Sequence, residues 1–179
     1  MPVDTINREE AWKVLCNSYR DALFNEKIYT NRLIHTRTRN KIANLIIASA
    51  ATGSPFLALG IWQNPTGKIV LTVFTSVVAV TAWINNHLDW PHDLQRYSRL
   101  HEGFQNAAFA LLQLIQRIQL GSVFDKPFWA SYEKLAQHAV ELARDGDLQI
   151  PADLAARLKA EVISESDSVL GRKTNETTH

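Results

Sequence analysis

Along this chain the apolar residues follow two kinds of pattern: stretches where they recur every three or four positions, and two runs where no charged residue interrupts them. The first kind begins near the N-terminus, where Trp12, Leu15, Cys16, Tyr19 and Leu23 predict an amphipathic helix with Cys16 on its apolar face. It returns at Leu94, Tyr97, His101, Phe104, Ala108, Leu111, Ile115 and Ile118, whose spacing predicts a coiled-coil or bundle seam. Gly121 is expected to close that helix. Phe128, Tyr132, Leu135, Ala139 and Leu142 mark another, and "IPADLAARLKAEVI" a last short one begun at Pro151. Residues 164–179 are polar and are expected to form a disordered tail. No strand pattern of useful length appears outside the two uninterrupted runs.

Those runs are "IANLIIASAATGSPFLALGIWQNPTG", 26 residues between Lys41 and Lys68, and "IVLTVFTSVVAVTAWINNHL", 20 residues between Lys68 and Asp89. A hydrocarbon core about 30 Å thick needs roughly 20 residues at about 1.5 Å rise each. A buried hairpin of a soluble bundle would keep a polar stripe toward water, and these runs show apolar or small residues all round. The expectation is a two-helix transmembrane hairpin over residues 41–90, turning at 63–67, where Asn64, Pro65 and Gly67 are turn formers. Lys27, Arg32, Arg37, Arg39 and Lys41 precede it and Arg96 and Arg99 follow, against Lys68 alone in the turn. Both flanks therefore read as cytoplasmic, with Arg32, Arg37, Arg39 and Lys41 orienting the hairpin and facing anionic head groups. Trp62, Trp83 and Trp90 suit interfacial anchoring.

The fold class predicted is all-α: a two-pass inner-membrane protein with a cytoplasmic helical bundle or coiled coil. Its parts are a cytoplasmic helix and basic approach (1–40), the hairpin (41–90), a cytoplasmic helical region (91–163) and the tail. Composition restricts what remains. A net charge of +1 and a charged fraction of 21% give no bias toward nucleic acid. A single cysteine excludes an internal disulfide. "MPVDTINREEAWK" is acidic and polar, so no cleavable signal is expected.

Candidate chemistry is sparse. "HLDWPHD" gathers His87, Asp89, His92 and Asp93, but Pro91 interrupts it and Asp93 suits the start of the next helix. Gly60 to Lys68 has the wrong glycine spacing for a phosphate loop and no Ser or Thr after the lysine. Neither an enzyme nor a cofactor nor a metal is expected. The second run places Thr72, Thr75, Ser76, Ala79, Ala82 and Asn86 on one small, polar face, and the first offers Ser49 with Gly53 and Ala50 with Ser54 as close-approach pairs. Such faces serve helix packing in lipid or, in an oligomer, a water-filled lining. The seam residues Leu94, Tyr97, His101, Phe104, Leu111, Ile115 and Ile118 are candidates for oligomer or partner contact, His101 being either a register residue or a bundle histidine.

The basic approach "YTNRLIHTRTRNK", two membrane helices joined by "WQNPTGK", the exit helix around Tyr97, Leu100 and Phe104, and "FWASYEKLAQHAVELARDGD" together resemble the SLATT family of two-transmembrane effectors. The resemblance spans roughly residues 8–163 and rests on architecture, without an invariant motif. It implies a prokaryotic conflict-system effector that oligomerises and breaches the inner membrane once a nucleotide-synthesising or nucleotide-sensing partner is triggered. It implies no catalytic residue. The competing expectation is a non-conducting scaffold that recruits a soluble partner through the seam from Leu94 to Ile118.

Overall fold

The computed structural model describes residues 8–51, 64–87, 90–121, 124–146 and 149–170. Regular structure among them is entirely α-helical: α1 (Arg8–Ala51), α2 (Pro65–His87), α3 (Trp90–Gln119), α4 (Lys126–Arg144) and α5 (Ala152–Val169). No Gly or Pro occurs within α1, so the amphipathic segment, the basic approach and the start of the first apolar run form one helix of 44 residues. Helix α2 starts with Pro65 in its first turn, where a missing N–H costs nothing. Asp125 caps α4, its carboxylate accepting from the Phe128 amide at 2.9 Å. Gly121, at φ +98°, follows the end of α3 in the left-handed region that glycine adopts at no steric cost.

The chain divides into two compact units, Met1–Asn31 with Ser98–His179 and Arg32–Tyr97. In the first, the apolar stripe of α1 packs into that of α3: Leu15, Cys16, Tyr19, Ala22 and Leu23 share one core with Ala107, Ala108, Leu111, Leu114, Ile115 and Ile118. Helix α4 adds Phe128 to this core, and Tyr132 ties it to α1 by a 2.9 Å hydrogen bond between its hydroxyl and that of Ser18. Gly103 admits α4 closely, since a Cβ there would lie 2.7 Å from Leu142 Cδ2.

The end of α5 departs from expectation. Residues 164–169, assigned to the disordered tail, continue the helix to Val169. Leu158, Val162, Ser166 and Leu170 recur every fourth residue and are all buried, Ser166 completely. A serine at one stripe position hides this periodicity in the sequence. In the folded chain Arg20 Nε donates to Ser166 Oγ at 2.9 Å, Arg20 pairs with Asp167 at 2.6 Å, and Lys27 bridges Glu161 and Glu165, each at 2.8 Å. Cross-helix partners thus order a segment whose composition suggests solvent.

The second unit contains the C-terminal part of α1, all of α2 and the first two turns of α3. The basic approach from Arg32, expected with the N-terminal region, belongs here. Arg32 lies over the ring of Tyr97 at 5.8 Å, and Leu33 is buried.

Candidate functional site

Helix α2 is the one helix among the described residues long and apolar enough to cross a membrane, over Pro65–Asn85. Only 6% of that span is buried, whereas the core helix of a soluble protein of the same composition would be mostly covered. Ile69, Val70, Val73, Phe74, Val77, Val80, Trp83 and Ile84 are all exposed, along one half of the helix, while Leu71, Val78 and Ala82 are half-buried. An apolar surface of this extent on a chain in water is an interaction site for lipid or protein.

Of the face singled out in the sequence, Thr72, Thr75, Ser76 and Ala79 are exposed and Ala82 is half-buried. Asn86 lies in the last turn of α2. The hydroxyls are turned back onto their own helix: Thr72 donates to the Lys68 carbonyl at 2.9 Å, Thr75 to Leu71 at 2.9 Å, Ser76 to Thr72 at 2.7 Å and Thr81 to Val77 at 2.7 Å. Back-bonded hydroxyls do not need water, because each donor is already satisfied within its own segment. At the C-terminal end the Trp83 and His87 rings lie 4.5 Å apart, with His87 Nδ1 2.9 Å from the Trp83 carbonyl.

The first apolar run is described only to Ala51. It continues α1, with Ile42 and Leu45 exposed and Ala43 buried; Ser49 is exposed and donates to the Ile46 carbonyl at 2.7 Å. Gly53, Ser54 and Gln63 lie outside the described residues; the rest of the turn expected at 63–67 is described, and Pro65, Thr66 and Gly67 already belong to the first turn of α2. Of the orienting cations, Arg37, Arg39 and Lys41 are exposed and Arg32 is half-buried.

The seam proposed for partners has a different place. Phe104, Leu111, Ile115 and Ile118 are buried in the core with α1, and Phe104 stacks on Tyr29 with centroids 5.6 Å apart. Leu94, Tyr97 and His101 are half-buried. The chain's own N-terminal helix therefore occupies the part of that surface from Phe104 to Ile118, and the reason is complementarity: both stripes are amphipathic, and closing one on the other buries both.

Burial governs the ionisable groups beside this core. It raises the Glu26 carboxyl above its ordinary value, against the opposing charges of His101 and Lys27, and with Glu165 and Glu26 it raises Tyr19. The hydrogen bonds that the Lys27 ammonium donates to Glu161 and Glu165 raise its pKa. The Cys16 thiol is buried in the core. No group of three or more His, Cys, Asp or Glu side chains converges among the described residues. A shallow hollow of about 630 Å³ runs along α4 past Trp129, Tyr132, Gln137 and Val140, lined by that helix alone, so nothing on a second element faces a ligand there.

What the fold defines is an all-α chain in which a packed helical unit accompanies a helix with an unburied, membrane-length apolar surface. No family model, curated protein or solved structure matches it.

Proposed function

We propose that this protein is a membrane effector of the SLATT type: a two-pass hairpin with α2 as its second arm, both termini cytoplasmic, that assembles with copies of itself and opens the inner membrane when a nucleotide-linked partner acts. The observation that carries this reading is α2, 21 residues of apolar and small side chains with almost no cover from the rest of the chain. Its back-bonded hydroxyls suit both ends of such a cycle. In an isolated helix they are satisfied without water; in an assembly the same oxygens keep lone pairs free to face a lumen. Two helices enclose nothing, so conductance requires several copies. Burial of Phe104, Leu111, Ile115 and Ile118 weighs against the scaffold alternative, which needed that part of the seam free.

The test is leakage of ions and dye from liposomes carrying the full-length protein. Thr75→Leu with Ser76→Leu is expected to abolish leakage while the protein stays resistant to alkaline extraction. Unchanged leakage would remove this face from the opening, and intact liposomes with inserted wild-type protein, even with the partner present, would overturn the pore.

A further inference from the structure

The buried stripe of α3 is matched by an outward face of unusual composition. From Gly103 to Gln116 the helix carries no charged residue. Its exposed positions there are Gln105, Asn106, Phe109, Gln113 and Gln116, with Phe109 62% exposed. Asn106, Phe109, Gln113 and Gln116 follow one another at steps of three, four and three, the spacing of a second seam on the same helix. Other exposed faces of the unit differ: Glu133, Lys134 and Glu141 stand on α4, and Arg157, Lys159 and Glu161 on α5.

We infer that this face of α3 is the docking surface for a second copy of the chain. Where two copies meet through the same face of a parallel helix pair, each residue meets its own counterpart. A charge would then face an identical charge. An amide faces an amide, and because each carries both donors and an acceptor, the pair is complementary to itself. Phe109 meeting Phe109 supplies the apolar centre. The neutral stretch ends where Glu102 and Arg117 would begin to oppose their own copies. A single helix pair buries less than the roughly 1,200 Å² of a stable interface, so the contact is weak in free solution and gains from the effective concentration of copies held in one bilayer. In that respect alone the inference rests on the membrane reading above.

The experiment uses the full-length protein in liposomes. Cys16 is buried and silent, so Gln113→Cys supplies one reactive thiol on the face and Gln137→Cys, exposed on α4, supplies the comparison. Mild oxidation is expected to give a covalent dimer with Gln113→Cys and none with Gln137→Cys, since a disulfide needs Cα atoms within about 7 Å. Phe109→Glu, at an exposed position, is expected to lose the oligomer mass with helix content unchanged. Equal crosslinking at both sites, or no dimer at Gln113→Cys with mass unchanged in Phe109→Glu, overturns the interface. Alkaline extraction of the same samples reads the membrane assignment separately: a Gln113→Cys dimer in the aqueous fraction would uphold the interface and discard the membrane.

Discussion

The two units use the same apolar side chains and dispose of them in opposite ways. In the unit of residues 1–31 and 98–179, leucines, isoleucines and aromatics of α1 and α3 are buried against one another. In the unit of residues 32–97, Leu45, Val73, Val77 and Trp83 are exposed. The difference lies in pattern and not in hydrophobic content alone. An amphipathic helix has one face to hide and finds a like helix to hide it; a helix that is apolar all round leaves surface that its neighbours cannot cover, and lipid is the solvent that suits it.

The sharpest way to break this contrast is to place charge in the middle of α2. Val73→Arg with Val77→Arg adds about 2.5–3.5 kcal/mol of insertion cost per arginine at a membrane centre. The double variant is expected to move from the alkali-resistant membrane fraction to the soluble or aggregated one, as read by extraction and blotting. If α2 instead packs against soluble protein, fractionation will not change.

A smaller effect probes the packed unit. Arg20→Ala removes the donor to Ser166 and the partner of Asp167, both well shielded, for a loss of about 1.5–3 kcal/mol. Limited proteolysis should cut α5 sooner and thermal unfolding of the helical unit should begin at lower temperature, while membrane retention stays the same. Unaltered cleavage would show that the apolar stripe holds α5 without these pairs.

The smallest effect concerns Glu26, whose carboxyl burial raises above its ordinary value of 4.5. A raised carboxyl costs stability while ionised, in full above its folded value, and the cost vanishes as pH falls below the ordinary one. Glu26→Gln is therefore expected to melt at a slightly higher temperature than the wild type at pH 7, with the gap closing toward pH 4. A gap that widened with acid would mean that attraction to His101 and Lys27 outweighs burial.

Several features were legible before folding. The helix spacing around Leu15 and Tyr19, the seam through Phe104 and Leu111 and the stop at Gly121 each follow from local rules of period and capping. The apolar run after Lys68 was legible for the same reason, since length and the absence of charge are properties of the segment; that its helix begins as early as Pro65, within the expected turn, was not. Helix α5 beyond Ile163 was not. Its order depends on Arg20 and Lys27, more than 130 residues away, and a serine at a core position reads as a surface residue until a distant donor is seen to satisfy it.

By itself, then, the sequence determined which segments are helices, which of their faces are apolar, and that two runs carry only apolar or small uncharged residues, because these depend on the segment and on neighbours three or four residues apart. The tertiary structure decided where each apolar face goes. The Leu94–Ile118 seam advertises a partner equally well for another chain or for this one, and periodicity contains no information about which. Folding closed its part from Ala107 to Ile118 on Leu15 to Leu23 of α1, and left outward the amide face around Phe109 and the uncovered surface of α2. Burial is a property of pairs of surfaces, and only the folded chain says which surfaces have met.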